Sequence, residues 1–260
     1  MSGTVLYTEK GHVARITLNR PRAGNVINRQ LTQELIDICS EIGRNDGIHA
    51  VILTGAGSRA FCAGSECERV LQRSQISSAE AKDCSQYNVA KAIADIEKPV
   101  IAAINGDALG EGLELALSCD IRLTVPKAKF GFPQVSSGLI PMDGGTQRLP
   151  RIVGRSKALE MIFTGETISA GVALEISLVS KVVTPANLIP EVESMAETMA
   201  GKAPIALRFI KEAVNKGLDL TMEQGLRLEA DLYFLLHTTA DRTEGIHAFL
   251  EKRSPQFKGQ

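Results

Sequence analysis

Ile101-Ala-Ala-Ile-Asn-Gly-Asp-Ala-Leu-Gly-Glu-Gly-Leu-Glu-Leu-Ala-Leu-Ser-Cys-Asp120 decides how this chain is read, because it sets an apolar strand, a turn and a short helix in one run. Val100 to Ile104 reads as a buried strand, and Asn105-Gly106 breaks it. A helix is expected from near Gly110 through Leu113, Leu115, Ala116 and Leu117, with Asp120 opening another strand. The first N–H groups of such a helix have no partner inside it and stand at the positive end of its dipole, so they suit an oxygen that becomes negative. Glu111 and Glu114 are three positions apart and share roughly one face of that helix. A strand-to-helix turn with amides and carboxylates around it can hold and work on an acyl group.

Outward from this stretch, Val5 to Leu18 reads as two short strands around Lys10-Gly11, with Ala14, Ile16 and Leu18 alternating against Arg15 and Thr17. Leu31, Leu35, Ile38 and Ile42 recur at helical spacing, which predicts an amphipathic helix from near Asn28. Ala50 to Thr54 is a short buried strand ending at Gly55-Ala-Gly57, and the strand–strand–helix order returns as a weaker echo around 98–125. Segment 66–90 is polar, with Ser74, Ser77 and Ser78, and reads either as a mobile cover over an acyl pocket or as an ordinary surface helix and loop. From Ser156 onward the pattern is mainly helical. Ala158, Met161 and Ile162 share a face, Gly165 ends that segment, and 204–216 and 222–237 give two more amphipathic helices. Leu226, Leu228, Leu232 and Leu235 are more apolar side chains than a thin layer can bury, so a subunit interface is expected there.

The chain has 260 residues, enough for one large domain or for a core of about 200 residues with a smaller C-terminal piece. With 44% hydrophobic and 23% charged residues it reads as an ordered soluble protein. A net charge of −1 and a pI near 6.5 give no overall drive toward nucleic acid, and Lys202, Arg208, Lys211 and Lys216 read as a solvated face. No apolar run reaches the roughly 18 residues of a membrane span, and no signal-peptide stretch stands at the N-terminus. Five cysteines without a C-x-x-C pair fit free thiols in a reducing compartment, taken here as the cytoplasm. His12, His49, His237 and His247 show no ligand spacing, so they read as surface or packing residues and no metal is expected.

Asn19-Arg20-Pro21, Phe61-Cys-Ala-Gly-Ser65, Lys98-Pro-Val-Ile-Ala-Ala-Ile-Asn-Gly106, Gly110-x-Gly-x-Glu-Leu-Ala116, Phe130-Gly-Phe-Pro133, Gly138-Leu-Ile-Pro141, Gly144-Gly-Thr-Gln-Arg-Leu149 and Glu251-Lys-Arg-x-Pro-x-Phe-Lys258 run in one order over about the whole chain. In these motifs the chain resembles the crotonase superfamily, also called the enoyl-CoA hydratase/isomerase family. The resemblance implies an α/β fold, a crotonase-like spiral of ββα repeats with a helical C-terminal trimerisation region. Residues 1–198 would then form the core with the CoA and active site. Residues 199–260 would serve oligomerisation, as a homotrimer or homohexamer, and closure of the CoA pocket. It also implies an acyl-CoA substrate and no cofactor beyond the coenzyme A of the substrate thioester, while the charge balance and the lack of a long apolar run point to neither nucleic-acid nor membrane partners.

By the same resemblance, the N–H groups of Ser65 and Glu111 form the oxyanion hole for the thioester oxygen. Glu111 stands where the family usually has glycine. Its side chain either turns away to solvent or a neighbouring subunit, or points inward as a further carboxylate. Glu114 matches one of the two glutamates that hydratases of the family use on water; a solvated helix residue is its plain alternative. The second glutamate would fall at 134, where this chain has Gln134 beside Pro133, both counted with the substrate-binding residues. A glutamine holds water but cannot exchange a proton near neutral pH. Asp143 is either a substitute acid/base or a helix N-cap before Gly144-Gly145-Thr146. CoA would lie along Arg22, Ala23, Ala63 and Gly64, with Phe257 and Lys258 closing it from the same or a neighbouring subunit. The implied activity is hydration or dehydration of an unsaturated acyl-CoA, of a dienoyl or cyclic kind given the altered glutamate. Double-bond isomerisation is the near alternative. Thioester hydrolysis, decarboxylation and a non-catalytic RNA-binding role stand further back.

Overall fold

β-branched runs too apolar to alternate belong inside a sheet covered on both faces, and this chain places them there. The computed structural model describes residues 3–66 and 89–260. β1 (Val5–Lys10) and β2 (Val13–Leu18) form the expected hairpin, antiparallel with Val5 opposite Leu18. α1 (Arg29–Arg44) follows, its N-cap Asn28 accepting from the Leu31 N–H at 2.9 Å, and it buries Leu31, Leu35, Cys39 and Ile42. β3 (Ala50–Gly55) and β4 (Ala60–Cys62) come next, then α2 (Ala90–Ala94), β5 (Val100–Ile104), β6 (Asp107–Leu109), α3 (Glu111–Leu117), β7 (Ile121–Thr124) and β8 (Lys129–Gly131). Every residue of β3 and of β5 is buried.

In β3/β4, β5/β6 and β7/β8 the first strand joins one sheet and the second joins another. β3, β5 and β7 are parallel neighbours in a six-stranded sheet of order β1-β2-β3-β5-β7-β10, where β10 is Lys181–Val182. β4, β6 and β8 are parallel neighbours in a four-stranded sheet closed by antiparallel β9 (Ile168–Ser169). Successive repeats therefore wind as a spiral, and the weak echo at 98–125 is one turn of it.

α4 (Gly145–Val153) and α5 (Arg155–Thr164) follow β8, with Gly165 closing α5 in the left-handed conformation. α6 (Ala170–Glu175) and α7 (Leu188–Ala200) flank β10, and α8 (Pro204–Gly217), α9 (Met222–Leu236) and α10 (Ala240–Leu250) complete the chain. α8 buries none of its residues, and of the four leucines singled out in α9 only Leu232 is buried. Lys211 corrects the solvated-face reading. Its side chain is 11% exposed and donates to Asp120 Oδ2 at 2.8 Å and to the Lys98 carbonyl at 3.0 Å, fastening α8 to the spiral. Arg208 and Lys216 also have acidic partners, Glu97 and Glu212.

His12 and His49 stack with ring centroids 4.3 Å apart, a packing role that their spacing does not announce. Among the described residues no group of His, Cys, Asp or Glu is arranged to hold a metal, and no helix is long and apolar enough to cross a membrane. The anticipated cover at 66–90 falls on residues 67–88, outside the described residues, as do Cys67 and Cys84.

Candidate active site

The two expected amide donors sit at the ends of elements that touch. After β4 the chain turns through Ala63-Gly64-Ser65. Ile27 pins this turn on both sides of Ser65, donating its N–H to the Gly64 carbonyl at 3.0 Å and accepting from Glu66 N–H at 2.8 Å. Ser65 is buried. On the other side, α3 starts at Glu111, and Gly110 donates to the Gly131 carbonyl at 3.0 Å. A Cβ on Gly112 would stand 2.1 Å from the Cys62 carbonyl oxygen, so only glycine lets the start of α3 lie against the end of β4. The N–H of Glu111 belongs to the first residue of a helix, where amides lack an intrahelical acceptor.

Around this turn four polar side chains are withdrawn from water: Glu111, Glu114, Gln134 and Asp143, at 2%, 0%, 3% and 6% exposure. All seven residues of α3 are buried, so Glu111 does not turn to solvent and Glu114 is no solvated helix residue. Glu114 Oε1 accepts from the Asp143 N–H at 2.8 Å and the Gly145 N–H at 2.7 Å. Two amides converging from one turn form a concavity that suits an anion. A Cβ on Gly145 would lie 3.0 Å from that oxygen and 2.7 Å from Pro141 Cβ, so the carboxylate needs the glycine.

Asp143 is not a helix cap. Gly144 takes the N-cap position of α4 with no side-chain capping bond, while Asp143 Oδ2 accepts from the Ala90 N–H at 2.8 Å. Burial pushes the Asp143 carboxyl above the ordinary range for an aspartate; the Ala90 amide and the charge of Arg148 pull the other way without cancelling it. Gln134 lies in the 3₁₀ turn Pro133–Ser137 that follows β8. Because Gly131 O at the end of β8 holds Gly110, this turn and the start of α3 lie on neighbouring strand ends. Pro133 itself is exposed.

For CoA, the Ala63 N–H donates to the Gly24 carbonyl at 3.0 Å, which joins the Ala63-Gly64 turn to the 3₁₀ turn Pro21–Ala23 carrying Arg22 and Ala23. Arg22 is exposed and Ala23 half-buried. Phe257 and Lys258 lie in a tail held by its own chain. The N–H groups of Lys258 and Gly259 donate to the two carboxylate oxygens of Asp241 at 2.7 and 2.8 Å, and Phe257 faces Gly245. Sequence reasoning missed three site residues, Ala90, Gly145 and Arg148. Only the last two left a signal, the Gly144-Gly-Thr-Gln-Arg148 run after Asp143.

A spiral of paired strands with two amides and a buried glutamate at one strand-to-helix turn defines a class of acyl-handling enzymes, and comparison with known proteins bears this out. Residues 8–260 match the Enoyl-CoA hydratase/isomerase family model, and the chain belongs to that family. It is 44% identical to YngF of Bacillus subtilis, which carries the same family name, over 100% of both chains. It is 38% identical to the crotonyl-CoA hydratase of Syntrophomonas wolfei over 97% of each chain. The crystal structure of an enoyl-CoA hydratase from Bacillus anthracis superposes with a TM-score of 0.94 at 39% identity, covering 99% of this chain and 100% of that one. The fold is therefore the α/β crotonase fold, and the protein is an enzyme of the enoyl-CoA hydratase family.

Proposed function

We propose that this enzyme adds water to, and removes it from, the C=C bond of an unsaturated acyl-CoA thioester. The observation that carries the reading is the Glu114 carboxylate, fully buried with Oε1 between the amides of Asp143 and Gly145, one helical turn from the amide of Glu111. In the hydration direction Glu114 takes a proton from water while the water oxygen bonds to the β carbon. The π electrons move toward the thioester oxygen, where the Ser65 and Glu111 amides meet the developing charge. Losing one such donor typically costs ~10²–10³ in rate. The α carbon then needs a proton. Gln134 cannot supply one, and Asp143, its carboxyl held toward the protonated form by burial, is the group of the required chemistry. This altered pair favours a dienoyl or cyclic acyl group over a simple straight-chain one.

CoA is assigned to Arg22, Ala23, Ala63 and Gly64, with Phe257 and Lys258 closing over it. The apolar side chains left open on α8–α10 are assigned to a homotrimer or a pair of trimers. A second reading, double-bond isomerisation, draws on Gln134, since moving a proton between carbons needs only one effective base. The test is turnover of crotonyl-CoA, a dienoyl-CoA and a cyclic enoyl-CoA in ¹⁸O-labelled water. Hydration puts label in a 3-hydroxyacyl product. Glu114→Gln lowers the rate by ~10²–10⁴, and Gln134→Glu raises the rate on crotonyl-CoA. Product without label supports the isomerase, and a fully active Glu114→Gln removes both readings.

A further inference from the structure

We propose that Arg148 is a positioning residue for the reaction, one that holds the turn in which Glu114 is seated; this rests on the reading of Glu114 as the group that works on water. Three consecutive peptides make that turn. The first, ending in Asp143 N–H, and the third, ending in Gly145 N–H, point at Glu114 Oε1. The peptide between them carries the Asp143 carbonyl, and Arg148 Nη1 donates to that oxygen at 2.7 Å. Rotating the middle peptide would swing both of its neighbours, so the guanidinium fixes the two donors through the Asp143 carbonyl.

The fit is tight on the other side as well. Gly144 has φ 103°, a conformation side chains rarely adopt, and a Cβ there would stand 2.1 Å from Arg148 Nη1. The guanidinium thus occupies the space that the absent side chain leaves. A cation at a helix N-terminus is electrostatically adverse, and Arg148 sits within the opening turns of α4 with its charged end folded back onto the N-cap. What offsets this placement is across the turn, where two carboxylates, Glu114 and Asp143, are buried. Arg148 is a cation on this turn, and its charge acts on Asp143.

Arg148 also borders a cleft of about 640 Å³ between α4 and α8, shared with Leu117, Arg122, Arg151 and Lys211. Truncating it opens that cleft further and leaves no sealed cavity, so the variant should fold. Arg148→Ala is expected to lower kcat by up to ~10²-fold, the scale of a misplaced catalytic group, with KM within about twofold. The acidic limb of kcat should move to higher pH, since a loosened pair of donors favours the ionised carboxylate less. Arg148→Lys, which keeps one donor for the Asp143 carbonyl, should recover most of kcat. Gly144→Ala should show the same kcat loss, and Gly144→Ala with Arg148→Ala should lose no more than the worse single variant. The inference is overturned if Arg148→Ala keeps kcat, if kcat falls with the acidic limb unmoved, or if the two substitutions add. It fails alone if Glu114→Gln is dead while Arg148→Ala is unaffected; a fully active Glu114→Gln sinks the underlying functional reading instead.

Discussion

Strands β3 and β5 leave no residue at the surface, whereas α8 has no buried residue at all. The core cluster draws on residues from Val5 to Ala200 and stops there. Beyond it, Ile210, Val214, Leu226, Phe234 and Phe249 are each more than half exposed. The spiral therefore encloses its own core, while the C-terminal helices carry exposed apolar faces among the described residues, a pattern typical of an interaction surface. The polar groups assigned to the chemistry all lie on the enclosed side. On the proposed reading, chemistry and assembly belong to different stretches of one chain, and each should be open to damage without the other.

The sharpest way to break this division is Gly112→Ala, where one methyl group would meet the Cys62 carbonyl at 2.1 Å. Overpacking a site with no slack costs about 3 kcal/mol or more, so urea denaturation should show a clear loss of stability, with turnover lost as the two amides part. A variant as stable and active as the parent would show that the enclosed side can give. Phe234→Asp probes the other side. Phe234 is 68% exposed, and we expect an unchanged circular dichroism spectrum with a smaller particle by light scattering. An unchanged mass would mean that this face is not what joins the subunits.

On folding stability, as distinct from turnover, Asp143→Asn gives the smallest effect, within about 1 kcal/mol. The folded-state pKa of Asp143 is raised by burial, so its contribution to stability is fully present below the unfolded value of 3.8 and is lost as pH rises through the folded one. The Asp143→Asn variant would be free of that loss while keeping an acceptor for the Ala90 amide. Denaturation midpoints across mildly acidic pH should therefore fall less steeply in the variant; parallel curves would refute the shift.

Much of the enclosed side was legible in the sequence because it is written locally. Val100–Ile104, the helix start near Asn28 and the Gly165 stop each follow from neighbours a few positions apart, and family motifs set them in order. The surroundings of Asp143 were not, because its partner Ala90 lies 53 positions away and nothing near either residue points to the other. Aspartate before two glycines has the local look of a cap, and a long-range amide won. The burial of Glu111 was hidden for a related reason. Two glutamates in the first turn of a helix suit its dipole whether they face water or the core, so only the packing of α3 on both sides decides. The stacked His12 and His49 likewise meet through strand pairing rather than sequence spacing.

A helix with an outer face can be altered there while its inner face keeps working, but α3 has no outer face: each of its residues from Glu111 to Leu117 is enclosed. Any replacement in it is felt by the strands beneath and by the buried Glu114 carboxylate. Glutamate at position 111 therefore cannot be a surface residue; its carboxylate has to be accommodated by the packing around α3.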